Sequence, residues 1–143
     1  MPDPKSECEM LLGAVLPFAE QMLRDHGEFH PYGAAMKLDG EIVSVAAYDG
    51  REFAPSIDTI KLLKDAFIRA AYERAYKATA HAYDVRVKLP TNGEKSDAVA
   101  ISLNHEDGYS VVVLFPYKIE SGYLSFGEVF AQKGEADIFP QKN

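Results

Sequence analysis

The sequence predicts an α+β fold in which two helices pack on one face of an antiparallel sheet of five to six strands. Two stretches carry apolar residues at helical spacing, the stretches after residue 80 alternate between polar and apolar residues, and turn residues separate them. The predicted order is α-β-β-α-β-β-β, with residues 124–131 as a candidate sixth strand. One domain over residues 1–143 accommodates all of these elements.

The composition is that of a small acidic globular protein. The 143 residues include 15 basic and 22 acidic side chains, for a formal net charge of -7, and 47% are apolar. No stretch approaches the roughly 18 apolar residues of a membrane span, and the first residues lack a signal-peptide pattern. The single cysteine, Cys8, excludes an intrachain disulfide and suits a reducing compartment. We therefore expect a cytoplasmic protein with no membrane association.

The first helix is predicted by a capping box and a helical apolar pattern. Ser6 and Glu9 have the capping-box spacing, and Gly27 is suited to end the helix. Pro17 lies inside the pattern and cannot donate a hydrogen bond to the carbonyl of Gly13. The segment should therefore kink at Pro17 or split into two helices there.

A hairpin is predicted over residues 34–49, with Asp39-Gly40 as a two-residue turn. This turn would pair Leu38 with Glu41 and Met36 with Val43. Met36, Val43 and Val45 would then share one face of the sheet.

The second helix is predicted to begin with Ser56 as its cap and to extend for about 20 residues. Its apolar positions recur at helical spacing and predict a buried stripe. The stripe consists of Ile60, Leu63, Phe67 and either Ala70 or Ala71.

The rest of the chain is predicted to form strands of the sheet. Residues 81–89 and 99–103 alternate in polarity, and residues 106–108 fit a three-residue turn that leads into a strand over residues 109–115. Pro116 predicts an edge or a bulge in that strand. Residues 134–143 are expected to form a tail on the surface.

Several function classes lack their sequence signals. The chain has no P-loop, no dinucleotide-binding glycine pattern, no H-E-x-x-H, no G-x-S-x-G and no C-x-x-C. We therefore expect no cofactor and no metal site, and the sequence favours a protein without enzymatic activity. A net-negative chain without a basic stripe is also a poor candidate for binding nucleic acid.

The densest polar segment connects the first helix to the first strand. It contains the candidate binding residues His26, Glu28, His30 and Tyr32. The two histidines have the spacing of helical metal ligands, but Gly27 and Pro31 interrupt any helix between them. The alternative is a helix C-terminus followed by an aromatic-rich connection.

A second candidate site depends on strand register. If Leu89 pairs with Asp97, then His81 faces His105, and the following turn places Tyr109 opposite His105. Two imidazoles and a phenol could transfer a proton or bind a ligand. A hydrogen-bonded histidine pair at the rim of the core is the structural alternative.

Some segments of the chain are similar to a known bacterial family. These segments are residues 29–36, 39–41, 84–87, 105–108 and 127–132. On them the chain resembles an uncharacterised family of short bacterial proteins with a domain of unknown function. The resemblance implies a free-standing bacterial domain and brings no activity, cofactor or catalytic residue with it.

Two functional hypotheses follow. The first is a small acidic binding protein that contacts a second copy or another protein through aromatic residues near Pro116, namely Tyr117, Tyr123, Phe126 and Phe130. The second is an enzyme, or a metal- or small-molecule-binding protein, that lacks a known motif. In that case His30, His81 and His105 would be the catalytic or ligand-binding candidates, which requires them to converge.

Overall fold

The computed structural model describes residues 3–46 and 56–140 and confirms the α+β class. The elements are α1 (Pro4–His26), β1 (Tyr32–Lys37), β2 (Ile42–Val45), α2 (Ser56–Tyr72), β3 (Tyr76–Lys88), β4 (Lys95–His105), β5 (Ser110–Glu120), β6 (Tyr123–Phe126) and β7 (Phe130–Lys133). Within the described residues, the sheet has seven antiparallel strands in the order β2-β1-β3-β4-β5-β6, and β7 also pairs with β5. The sheet therefore has more strands than the five or six predicted.

The two helices lie on opposite faces of the sheet, so the prediction that they share one face is wrong. In β1, Ala34 and Met36 pack with α1, whereas Ala35 packs with Leu63 and Phe67 of α2. A strand buried on both faces reads as a continuous apolar run rather than an alternation. The run Gly33–Met36, buried throughout, carries this signal.

Small residues let α2 approach the sheet closely. A Cβ atom added at Gly33 would lie 2.8 Å from the ring of Phe67 and 2.9 Å from the carbonyl oxygen of Ala80. The ring of Phe67 therefore occupies the space that a side chain at position 33 would need. Gly33 is required here for packing, because β1 is held between two layers.

Helix α1 begins one turn earlier than predicted. The carboxylate of Asp3 accepts a hydrogen bond from the Ser6 N–H at 2.7 Å, and Pro4 is the first helical residue. Ser6 is therefore not the cap. Gly27 does end the helix, with φ 75° and its N–H donating to the Leu23 carbonyl at 2.9 Å.

The helix runs through Pro17 without splitting, and the hydroxyl of Tyr32 enters it at this point. Tyr32 donates to the carbonyl of Val15 and accepts from the N–H of Ala19 at 3.0 Å. These two backbone groups would bond each other in a regular helix. A side chain from β1 is therefore inserted into the hydrogen-bond ladder of α1.

The β1–β2 hairpin has a three-residue loop rather than the predicted two-residue turn. The Lys37 N–H donates to the carbonyl of Glu41 at 2.8 Å, and Gly40 has φ 94°. Met36 consequently pairs with Ile42, and Ala35 pairs with Val43. The predicted pairing of Met36 with Val43 is wrong, and these two residues lie on opposite faces. The last part of the predicted hairpin, from residue 47, lies outside the described residues.

Helix α2 starts at Ser56, which is its first residue rather than the predicted cap, and its buried residues agree with the predicted stripe except at its start. Thr59, Leu63, Phe67 and Ala71 are buried, while Ile60 is half-buried. Neither described helix combines the length and the hydropathy needed to cross a membrane.

In the second half of the chain, the loops determine how the strands pair. Gly108 has φ 98°, and the His105 N–H donates to the carbonyl of Tyr109 at 2.8 Å, which confirms the predicted β4–β5 turn. Pro116 lies where the outer side of β5 changes its partner from β7 to β6. The segment after β7 is not a surface tail throughout, because Ile138 is buried against α2.

Candidate functional site

The predicted row of His81, His105 and Tyr109 does not form. His81 pairs with Ser102, and Ala78 pairs with His105, so the β3–β4 register differs from the predicted one by three residues. An odd difference moves one histidine to the other face of the sheet. His105 does lie opposite Tyr109, as the turn predicted.

His105 belongs instead to a buried polar cluster with Glu7 and Lys77. The Glu7 carboxylate contacts His105 Nε2 at 2.9 Å and forms an ion pair with the Lys77 ammonium. The other ring nitrogen, Nδ1, accepts from the Asp107 N–H at 3.1 Å. Because Nδ1 is an acceptor, these bonds assign the ring proton to Nε2, which donates to Glu7.

A β-bulge brings Lys77 into this cluster. The register between β1 and β3 shifts between Met36 and Lys37, so Tyr76 and Lys77 together oppose one position of β1. Tyr76 packs with α2, but Ala78 packs with α1, although a regular strand would place both on one face. The bulge therefore directs Lys77 to the N-terminal end of α1.

The cluster is closed rather than poised for catalysis. Both ring nitrogens of His105 have partners, and Glu7 and His105 are 7% and 4% exposed. Burial raises the pKa of Glu7, but hydrogen bonds from Lys77 and His105 outweigh it and hold the pKa below its ordinary value. The arrangement fastens α1 to the sheet.

Cys8 adds no nucleophile to this region. Its side chain is 1% exposed, and burial together with the charges of Glu7 and Glu9 raises the pKa of the thiol to about 12. A neutral, buried thiol is unreactive.

His81 lies on the other face, beneath α2. Its ring is stacked on Tyr83 with centroids 5.5 Å apart and lies 6.2 Å from the ring of Phe67. Nδ1 is buried without a hydrogen-bond partner. Burial, reinforced by the charge of Lys64, lowers the pKa of His81 to about 4, although Asp137 opposes this. His81 is therefore a neutral core residue at physiological pH.

The candidate binding residues of the first connection do not form one site. His30 Nε2 lies 2.9 Å from the hydroxyl of Thr59 in α2, while His26 and Glu28 are exposed. Tyr32 is committed to the backbone of α1, and burial raises the pKa of its hydroxyl to about 12 although the bond from Ala19 opposes this. The three histidines named by the enzymatic hypothesis have different partners. These are Thr59 for His30, Phe67 and Tyr83 for His81, and Glu7 for His105.

Sequence reasoning missed Glu7, although a signal for it was present. Glu7, Leu11, Val15, Ala19 and Leu23 repeat every four residues and are all buried. An acidic residue on the apolar stripe of a helix requires a buried partner. The partner itself was not predictable, because the bulge that directs Lys77 leaves no clear sequence pattern.

The comparisons identify no related protein: no family model, curated protein or solved structure matches the chain. The resemblance to a bacterial family stays a prediction. Within residues 3–46 and 56–140, no group of three or more histidine, cysteine or acidic side chains is arranged to hold a metal ion.

Several exposed apolar residues lie around the end of α2. We call this region the Tyr72 surface and define it by Leu38, Ile68, Tyr72, Phe139 and Pro140. Leu38, Ile68 and Tyr72 are 55%, 39% and 81% exposed. Phe139 and Pro140 line both of two clefts, which have volumes of about 470 Å³ and 500 Å³.

The aromatic residues near Pro116, in contrast, do not form such a surface. Tyr117 is buried, with its hydroxyl donating to Asp84 at 2.9 Å, and Phe126 and Phe130 are half-buried. Only Tyr123 of this set is exposed, at 80%. The predicted aromatic contact surface is therefore mostly core.

Proposed function

We propose that the protein is a small acidic cytoplasmic binding protein that recognises a protein partner through the Tyr72 surface. The observation that carries the proposal is the exposure of Tyr72, Ile68 and Leu38 beside two adjoining clefts. Contiguous apolar surface with a polar rim is typical of protein-binding sites.

The composition of this surface supports the proposal. Aromatic residues and arginine dominate the energetic centres of protein interfaces. Tyr76 and Arg74 line one cleft, while Glu135 and Asp137 line the other. The surface thus has an apolar centre with charged residues of both signs at its rim.

The net charge favours a basic partner. At -7, the chain attracts positively charged proteins at long range and accelerates their association at low ionic strength. Rim charges then fix the orientation of the partner, while the apolar centre holds it.

Site-specific photocrosslinking tests the proposal. A benzophenone amino acid replaces Tyr72 in one variant and Tyr123 in a matched control, because these tyrosines are 81% and 80% exposed. We expect a discrete covalent adduct from position 72 and none from position 123. Ile68→Glu in the position-72 variant should abolish the adduct, because it places a charge at the apolar centre.

The mass of the adduct identifies the partner. Twice the mass of the chain would identify a second copy, and any other mass would identify a different protein. Absence of an adduct at position 72, or equal yields at both positions, would refute the proposal.

A further inference from the structure

From the geometry of the sheet edge we propose that β2 pairs with β2 of a second copy, which joins two sheets into one. This contact is separate from the Tyr72 surface. Three features support the pairing of β2 with a second β2. They are the outward backbone groups of the strand, its side chains, and a cleft beside it.

Among the described residues, the backbone of β2 has hydrogen-bonding groups at its outer edge that pair with no other strand. Strand β2 is the end of the sheet within residues 3–46 and 56–140. The bond from the Lys37 N–H to the Glu41 carbonyl fixes which residues face β1. By alternation, Val43 and Val45 also bond toward β1, and the N–H and C=O groups of Ile42 and Ser44 point outward.

The side chains of this edge strand do not oppose strand pairing. Residues 42–45 contain no charged residue and no proline. At the other side of the sheet, β5 is covered by β6 and β7, and β7 ends with Lys133. Within residues 3–46 and 56–140, the β2 edge is therefore able to pair with another strand.

The strand is self-complementary in the antiparallel orientation. Pairing Ile42 with Ser44 of the second copy, and the reverse, places Val43 opposite its own counterpart on a two-fold axis. Each of these two pairs exchanges two N–H···O bonds, which gives four in all. Glu41 then faces Val45 of the second copy, so no like charges oppose each other.

A cleft of about 290 Å³ lies next to this edge on the α1 face. Its lining includes Ala14, Phe18, Tyr32, Ser44 and Ala46. Phe18 is 52% exposed there. Ile42 and Ser44 both belong to the α1 face, because their partners in β1, Met36 and Ala34, pack with α1.

The proposed pairing covers this cleft. Opposed residues of an antiparallel pair lie on the same face, so Ile42 of the second copy would lie beside Ser44, at the mouth of the cleft. The two-fold axis repeats the contact, so each Ile42, which is half-buried against the core of its own chain, would also border the cleft of the other copy. A second copy is favoured as the occupant because its own strand supplies this apolar side chain at the required position.

Native mass spectrometry of the full chain over a concentration series tests the proposal. We expect a dimer for the wild-type protein. Ser44→Pro removes an outward N–H from each chain and leaves the bonds to β1 intact, so dimerisation should weaken about tenfold or more through the loss of two of four hydrogen bonds.

Two further variants make the result specific. Ser44→Lys places a charge on the exposed edge and should also give monomers. Ala131→Pro is the matched control, since Ala131 is exposed in β7 and its N–H points away from β5. It should remain dimeric.

Three outcomes would overturn the proposal: a monomeric wild-type protein at every concentration, a dimer that Ser44→Pro and Ser44→Lys leave intact, or equal weakening by Ala131→Pro. Far-UV circular dichroism of each variant confirms that the fold is retained. Since neither Ser44 variant alters the Tyr72 surface, the photocrosslink at position 72 reports separately on that proposal.

Discussion

Burial of His81 as a neutral ring makes the stability of the protein depend on pH. The unfolded chain takes up a proton on this histidine below its ordinary pKa of 6.5, whereas the folded protein does so only near the folded pKa of about 4. Protons therefore favour the unfolded state between these values. The contribution is fully present above 6.5 and is lost as the pH falls toward 4.

The magnitude follows from the two pKa values. Their difference of 2.5, at 1.36 kcal/mol for each pKa unit, corresponds to about 3.4 kcal/mol over the whole range. Between about pH 7 and about pH 5 the loss is roughly 2 kcal/mol. The pKa of Glu7 is lowered, so its contribution is present above its ordinary value of 4.5 and is lost only below that pH. The interval from 7 to 5 therefore excludes the contribution of Glu7.

The assay is urea unfolding followed by far-UV circular dichroism at the two pH values, because the chain has no tryptophan. His81→Leu should lose roughly 2 kcal/mol less stability than the wild type on acidification. His26→Leu, which removes an exposed histidine at the end of α1, should retain the loss that His81 causes. Equal losses for the wild type and His81→Leu would refute the assignment of a buried, neutral ring.

Three other substitutions test the packing, each by urea unfolding at neutral pH. Glu7→Gln should destabilise by about 2–3 kcal/mol, because charge-assisted hydrogen bonds are lost in the interior, whereas exposed Glu9→Gln should change stability by less than about 0.5 kcal/mol. Similar effects of the two would contradict the cluster. Tyr32→Phe should cost about 1–3 kcal/mol through two unbridged backbone groups, and an unchanged stability would show that the hydroxyl is not inserted in α1. Gly33→Ala should cost about 1–3 kcal/mol, and Phe67→Leu should recover part of that loss; simple additivity would argue against the close contact.

Features with local causes were predictable from the sequence. Gly27 ends α1 and Gly108 forms the β4–β5 turn as predicted, because a left-handed conformation at a loop favours glycine. The spacing of Leu63 and Phe67 likewise identified the buried side of α2. Each of these signals lies within a few residues of the feature it determines.

The position of His81 relative to His105 depends on the length of the β3–β4 loop, which the sequence did not determine. The Leu89 N–H donates to the carbonyl of Glu94 at 2.8 Å, so four residues form the β3–β4 loop. This closure pairs His81 with Ser102 rather than with His105. Each one-residue shift in strand register moves a side chain to the other face of the sheet. The turn residues between β3 and β4 do not distinguish the two loop lengths, so they do not determine this register.

The inserted hydroxyl of Tyr32 also determines how α1 can open. Proline within a helix is ordinarily a weak point where the two halves move separately. Here the turn that contains Pro17 is closed by a group that belongs to β1, through the bonds to Val15 and Ala19. Opening the middle of α1 therefore requires breaking its bonds to a side chain of β1, which couples the opening of the helix to the position of the strand.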